Sequence, residues 1–225
     1  ETAQRIQGAD PQNIESLRLI IFYLLSCEGS LDAARKKMAE LTDALDRHEP
    51  RNAQLYTVCS RDIARLSGGN AGVLGACSQM LERARRLQPE DVATLNEAAM
   101  QQQLGGDYKA AIGSYRHAAQ IDERDGTLDD LSSLYGTIHC QLLDHQLNEA
   151  ASQLEFLNDI ATERNVKLVF LTALHASKIP HGDVETPLSE LEHMLTAHVA
   201  GVQRKPFSYD YFVHMDPDML LQCAE

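Results

Sequence analysis

Apolar side chains recur every three or four residues along most of the chain, a spacing that places them on one face of an α-helix. The first stripe falls at Leu17, Ile20, Ile21, Leu24 and Leu25, and the second at Ala34, Met38, Leu41 and Leu45. Glu28-Gly29-Ser30 interrupts the pattern between them. The pattern therefore predicts two helices joined by a turn. No stretch alternates apolar and polar residues in the way that predicts a β-strand.

This helix–turn–helix unit repeats along the sequence. Pro11, Pro50 and Pro89 lie 39 residues apart, each in a similar polar phrase. Proline is tolerated in the first turn of a helix and disrupts its interior, so each phrase marks the end of one helix and the start of another. The pattern predicts five hairpins and a partial sixth unit, with bounds at 12–48, 51–88, 90–122, 129–161, 163–200 and 201–225.

The clearest copy of the unit runs from Val92 to Glu123. Its turn is Gly106-Asp107-Tyr108, and its second helix carries small and aromatic residues at Ala111, Tyr115 and Ala118. This arrangement resembles the tetratricopeptide repeat, in which small side chains let the two helices of a hairpin approach closely. The resemblance predicts an all-α fold in which the whole chain is one array, a right-handed superhelical solenoid of about five helical hairpins.

The later part of the chain departs from the repeat pattern. The fourth turn, near His145-Gln146, lacks glycine, and Asp125-Gly126-Thr127 indicates an inserted loop. Residues 201–217 contain glycine and proline and indicate an extended connection before a new helix at Asp218. The first residues are typical of a helix and the last of a helix that has just begun. We therefore expect this sequence to be an interior fragment of a longer chain.

Composition narrows the possible functions. The formal net charge of −13 disfavours nucleic-acid binding, which requires clustered Lys and Arg. Two short basic stretches, Arg35-Lys36-Lys37 and the group of Arg83, Arg85 and Arg86, are more typical of solvated helix faces than of an anion-binding patch. No segment approaches the roughly 20 apolar residues of a membrane-spanning helix, so we expect no direct membrane span.

The five cysteines are odd in number and widely spaced. No pair has the spacing of a metal-binding or redox motif, so we interpret them as reduced thiols that pack as small apolar side chains. Reduced thiols are typical of a reducing, cytosolic compartment.

The nine histidines and the glycine-rich segments are the candidates for catalytic and metal-binding motifs. The nearest groups are His139-Cys140 with His145, His175 with His181, and His193 with His198. None has the paired His with a Glu that a helical zinc site uses, and the sequence contains neither a nucleophile phrase nor a phosphate-binding loop. The sequence thus predicts no catalytic residue, no metal ligand, no cofactor and no small-molecule substrate.

The repeat suggests a protein-binding surface instead. In such arrays the first helix of each hairpin lines the inner face, which holds an extended or helical segment of a partner. The candidate inner-face residues lie opposite the packing stripe and are Arg18, Phe22, Thr57, Arg61, Arg65, Asn96, Met100, Gln103, Tyr135 and His139. A co-chaperone clamp for a terminal carboxylate is disfavoured, because the best copy has no Lys beside Asn96 and Met100.

Several phrases go beyond what the generic repeat requires. They lie, in order, within Ala9–Arg18, Glu49–Tyr56, Cys140–Leu143, Gln153–Ile160 and Tyr211–Leu221. Together they resemble the tetratricopeptide repeat protein 21 family, also called intraflagellar transport protein 139, over nearly the whole chain. The resemblance is weaker over residues 161–206 and is interrupted near Gly126.

The family resemblance implies a non-catalytic scaffold subunit of intraflagellar transport complex A, which serves retrograde transport and protein trafficking in cilia. Its expected partners are other complex A subunits and ciliary cargo. Its expected location is the cilium or flagellum and the basal body, on the cytoplasmic side. A second hypothesis stays open at this point: a tetratricopeptide peptide-binding module of a cytosolic adaptor or regulatory enzyme.

Overall fold

The computed structural model describes residues 8, 12–125, 131–160 and 165–203. Within these residues the chain forms ten α-helices and no β-strand, which confirms the all-α prediction. The helices are α1 Ile14–Tyr23, α2 Leu31–His48, α3 Ala53–Ala64, α4 Ala71–Leu87, α5 Val92–Leu104, α6 Tyr108–Asp125, α7 Ser132–Leu143, α8 Leu147–Ile160, α9 Val166–Lys178 and α10 Glu185–Gln203. A π-helical turn, Leu24–Glu28, continues α1. Successive helices form five helical hairpins, and the two helices of the first, second, third and fifth hairpins contact each other.

The first helices of the first three hairpins begin with the same kind of capping side chain. The carboxamide of Asn13 accepts the backbone N–H of Ser16 at the start of α1. Asn52 caps α3 and Asp91 caps α5 in the same way, each at the equivalent position 39 residues further on. Such caps satisfy backbone donors that have no partner within the helix and stabilise it by about 1 kcal/mol. Pro50 and Pro89 therefore precede the cap and do not enter the first helical turn.

The third and fourth hairpins close with equivalent turns. The N–H of Asp107 donates to Gln102 O at 2.9 Å, and the N–H of Gln146 donates to Gln141 O at 2.8 Å, 39 residues later. Gly106 has φ of 80° in the first turn, and His145 has φ of 60° in the second. Glycine adopts this left-handed conformation without steric cost, whereas for histidine the conformation is sterically unfavourable. The fourth turn thus keeps the geometry of the third although its sequence lacks the glycine.

The described helices belong to two compact units, residues 1–136 and 137–225, with the division inside α7. In the first unit, α1 contacts α3 and α3 contacts α5, while α2 contacts α4. First helices therefore pack on first helices and second helices on second helices, as in a repeat array. A continuous core runs through the first two hairpins and includes the fully buried side chains of Leu17, Met38, Leu41, Cys59 and Met80.

In the second unit, α9 is the central helix and contacts both α8 and α10. Four successive residues of α9, 168–171, are buried, so more than one face of this helix is covered. The turn before α10 includes His181, with φ of 59°, and Asp183 accepts the N–H of Thr186 at 3.2 Å.

The end of the fifth hairpin differs from the sequence prediction. Helix α10 continues through Gly201 to Gln203, so the extended connection predicted from residue 201 is wrong for its first three residues. Glycine in a helix costs about 1 kcal/mol relative to alanine but introduces no clash, so it does not by itself end the helix. The inserted loop at 126–127, the remainder of the predicted connection and the helix predicted at Asp218 lie outside the described residues.

Candidate protein-binding surface

The candidate residues lie on the first helices of the hairpins, and the structure shows that many of them contact the neighbouring repeat. Arg18 of α1 donates from Nη2 to Asp62 Oδ2 of α3 at 2.6 Å. Its other terminal nitrogen donates to Glu15 at 2.8 Å. Arg18 is thereby engaged by two carboxylates, one of them on the next first helix, and it helps to join the first and second hairpins.

Thr57 of α3 takes part in the corresponding contact between the second and third hairpins. Its Oγ1 lies 2.8 Å from Oγ1 of Thr94 on α5, and 3.2 Å from Ala53 O. Thr57 is 6% exposed and Thr94 is fully buried. The expectation that Thr57 lies opposite the packing surface is therefore wrong, because the next first helix covers it.

A buried polar cluster next to these threonines was not predicted from the sequence. Gln101 Nε2 donates to Ser60 Oγ at 2.7 Å and lies 3.3 Å from Glu97 Oε1. Ser60 in turn donates to Cys77 O on α4 at 2.9 Å. The cluster therefore joins α3, α4 and α5. Its members come from helices that are distant in sequence, so no local pattern marks them.

The carboxyl group of Glu97 is the most perturbed acid in this cluster. Burial raises the pKa of Glu97 to about 8, although the hydrogen bond from Gln101 and the charges of Arg65 and Arg61 act in the opposite direction. Asp62 adds a smaller effect that also raises this pKa. Two of the predicted partner-binding residues, Arg61 and Arg65, thus act on a buried carboxyl group of the same protein.

Asn96 and Gln103 of α5 also bond within the chain. Asn96 Oδ1 accepts a hydrogen bond from Ser133 Oγ of α7 at 2.8 Å. Gln103 Oε1 accepts one from the hydroxyl of Tyr115 on α6 at 3.4 Å. Both side chains remain partly exposed, as does Met100 between them. Their contact with a partner stays a prediction.

Tyr135 and His139 do not lie on an open face. They are 9% and 6% exposed, so the expectation that they lie opposite the packing surface is wrong. The ring of His139 packs edge-on against Phe170 of α9, with centroids 5.6 Å apart and an interplanar angle of 87°. All five residues from 137 to 141 are buried, which covers more than one face of α7.

Comparison with known proteins shows which family this repeat array belongs to. A family profile described as the second ARM domain of tetratricopeptide repeat protein 21 matches residues 36–225. The chain belongs to the tetratricopeptide repeat protein 21 family. This confirms the family predicted from the phrases in the sequence, and it makes the array a segment of a helical-repeat scaffold.

Individual members of the tetratricopeptide repeat protein 21 family are similar over the full chain. Human tetratricopeptide repeat protein 21B is 34% identical over 224 residues, which are 99% of this chain and 17% of that protein. The Xenopus laevis 21B protein is 33% identical over 229 residues, and mouse 21A is 32% identical over 227, each covering 100% of this chain and 17% of the relative. The chain therefore spans about 17% of the length of these relatives.

The most accessible large apolar side chains of this chain take no part in the polar contacts described above. On α1, Leu19, Phe22 and Tyr23 are each about half exposed, at 50%, 49% and 50%. Phe156 on α8 is 53% exposed and was not among the predicted residues. Among the predicted residues, Phe22 is therefore the large apolar side chain that is most available to a partner.

Neither a metal-binding cluster nor a membrane-spanning helix occurs among the described residues. No group of three or more His, Cys, Asp or Glu side chains there is arranged to hold a metal ion. In the same part of the chain, no helix has the length and hydropathy needed to cross a membrane.

Proposed function

We propose that this segment is a non-catalytic scaffold within a subunit of intraflagellar transport complex A, and that it supports retrograde ciliary transport and ciliary protein trafficking through protein–protein contacts. Membership of the tetratricopeptide repeat protein 21 family, with similarity over 99% of the chain to the human 21B protein, supports the proposal. Its partners are then other complex A subunits and ciliary cargo, at the cytoplasmic side of the cilium and basal body.

The observation that carries the scaffold role is the use of first-helix polar groups between repeats. Arg18 bonds to Asp62, Thr57 lies within hydrogen-bond distance of Thr94, and Asn96 accepts from Ser133. A pocket for a peptide needs polar side chains that are free to bond to the ligand. Here these groups stabilise the stacking of hairpins, which favours a structural segment over a peptide-binding module.

Affinity purification from ciliated cells tests the proposal. The longer protein that contains this segment is expressed with a tag, and the co-purified proteins are quantified by mass spectrometry against a tag-only control. We expect enrichment of the other complex A subunits. Recovery equal to that of the tag-only control would remove the proposal.

Two surface variants of that longer protein extend the test to this segment. Phe22→Ser and Phe156→Ser each remove an aromatic ring of similar exposure, from α1 and from α8. Neither ring is part of a buried core, so both variants are expected to keep the helical content of the wild-type protein. A loss of complex A subunits with Phe22→Ser alone supports the predicted contact at α1, whereas a loss with Phe156→Ser alone contradicts it.

A further inference from the structure

The packing of the third hairpin on the second contains an ionisable group at its centre. Glu97 lies on α5, is 5% exposed, and belongs to the helix that contacts α3 and α4 of the second hairpin. Gln101, one turn further along α5, donates to Ser60 of α3 and lies within hydrogen-bond distance of the Glu97 carboxyl group. The carboxyl group is thus located where the two hairpins meet, and solvent has little access to it.

The charged and titratable groups around Glu97 come from two helices of the second hairpin. Among the described residues, those that act electrostatically on it are Arg61 and Asp62 of α3, Arg65 directly after α3, and Cys77 of α4. Helix α6, which also packs against α5, supplies none of this set. Asp62 is itself bonded to Arg18 at 2.6 Å and lies 3.4 Å from Arg61 Nε, so part of the positive charge near Glu97 is already paired.

We propose that Glu97 makes the packing of the third hairpin on the second depend on proton concentration. When its carboxyl group is neutral, the two hairpins pack closely. When the group ionises, the contact of α5 with α3 loosens.

The physical basis is the cost of a buried charge. A carboxylate that loses its hydration requires strong compensation, and otherwise the group stays protonated or the structure opens to admit water. Burial raises the pKa of Glu97 to about 8 from an ordinary value of 4.5. The compensation by Gln101, Arg65 and Arg61 is therefore incomplete in the closed arrangement.

The direction of the effect follows from proton binding in the two arrangements. In the open arrangement the carboxyl group is solvated and ionises near its ordinary value, so between about pH 4.5 and about pH 8 the closed arrangement binds more protons. Stability of the contact is complete below this interval and is lost as the pH rises through it. The equilibrium between open and closed changes by up to about tenfold per pH unit, and it levels off above the interval.

Amide hydrogen exchange measured by mass spectrometry tests this dependence on the intact chain. Protection factors, corrected for the intrinsic exchange rate at each pH, are determined for peptides from α3 and α5 between about pH 5 and pH 9, with α9 as an internal reference. In the wild-type chain, protection of α3 and α5 is expected to fall by up to about tenfold per pH unit and to level off above about pH 8. Protection of α9 should show no such fall.

Two variants separate the effect of Glu97 from that of net charge. Glu97→Gln keeps the shape and a hydrogen-bonding group but cannot ionise, so protection of α3 and α5 should become independent of pH. Glu82→Gln removes a 59% exposed carboxylate from α4 and should behave as wild type. An equal pH dependence in the wild-type chain and in Glu97→Gln would overturn the proposal.

A direct titration covers the case in which Glu97→Gln does not fold. Infrared spectra of the wild-type chain should contain a protonated carboxyl band at neutral pH that disappears with a midpoint near pH 8. A spectrum without that band at neutral pH would show that Glu97 is ionised in the closed arrangement and would exclude the mechanism.

Discussion

The ring of Tyr115 on α6 packs directly against the backbone of Gly136 on α7. A Cβ atom placed on Gly136 would lie 2.4 Å from Cζ of this ring and 2.5 Å from Cε1. Atoms that are not bonded do not approach so closely, so the contact requires a residue without a side chain at position 136. The hydroxyl of Tyr115, at the far end of the ring, donates to Gln103 of α5. The ring is therefore held between its own hairpin and the next helix.

Gly136→Ala is expected to destabilise the chain by about 1–3 kcal/mol, because the added methyl group must displace a buried ring. The free energy of unfolding in urea measures the effect. The control is Gly113→Ala on α6, where an added Cβ meets no atom within 4 Å. That variant should be stabilised by about 0.5–1 kcal/mol, since alanine favours a helix more than glycine does. A loss of similar size in both variants would contradict the packing argument.

Tyr115→Leu provides a second check on the same contact. In a chain that carries Tyr115→Leu, the smaller side chain leaves room for the methyl group of Gly136→Ala. The cost of Gly136→Ala should then fall by more than half, which a double-mutant cycle would show as a coupling energy.

Several of these features follow from the sequence and others do not. The 39-residue spacing of the Pro-x-Asn and Pro-x-Asp phrases identifies helix starts because the cap residue at Asn13, Asn52 or Asp91 is local to the helix it begins. A left-handed His145 could not be predicted, because glycine is the residue that usually adopts this conformation and the sequence has none in this turn.

The candidate surface was harder to predict than the fold. Periodicity separates a packed face from the opposite face, but it does not show whether another repeat covers that opposite face. Thr57 and His139 were predicted to be accessible, and both are covered by side chains from helices that are distant in sequence. Glu97 and Gln101 were missed for the same reason, since a charged or polar residue in a helix is normally interpreted as exposed.

The ion pair of Arg18 with Asp62 is expected to stabilise the stacking of the first two hairpins by a modest amount. The two side chains are 26% and 37% exposed, so solvent screens part of their attraction. Arg18→Glu should lower the free energy of unfolding by about 1 kcal/mol, because it places a third carboxylate beside Asp62 and Glu15. The double variant Arg18→Glu with Asp62→Arg should recover more than half of that loss.

Salt and an exposed pair provide the controls for Arg18→Glu. Its cost should decrease in about 1 M salt, where screening shortens the range of charge interactions. Arg35→Glu breaks a pair with Asp32 that spans 3.9 Å and is largely exposed, so its effect should be near zero. An Arg18→Glu cost that does not change with salt, or no recovery in the double variant, would contradict the assignment.

Asp46 is expected to contribute to the loss of stability in acid. Partial burial raises the pKa of Asp46, but hydrogen bonds from Arg83 and Tyr56, together with the charge of Arg83, outweigh it and hold this pKa below the ordinary value. The stabilisation is therefore present above the ordinary Asp pKa of about 3.9 and is lost as the pH falls through the lowered value.

Asp46→Asn should reduce stability at neutral pH and should give a shallower decline in acid than the wild-type chain shows. Urea unfolding at a series of pH values measures both effects. Asp43→Asn is the matched control, since Asp43 is an exposed residue of the same helix. If the two variants have the same dependence on pH, the bonds to Arg83 and Tyr56 do not stabilise the folded chain.

The cysteines are expected to differ sharply in reactivity. Burial raises the pKa of Cys59 to about 11 and of Cys77 and Cys140 to about 12, with nearby carboxylates adding to the effect, whereas Cys27 is exposed. A thiol reacts through its thiolate, so the three buried thiols combine poor access with very little of the reactive form. Because Cys223 lies outside the described residues, the experiment uses a Cys223→Ser chain. One thiol per chain should react rapidly with an aromatic disulfide reagent, and Cys27→Ser should abolish that phase. A second rapid thiol in the folded chain would show that one of the buried cysteines is accessible.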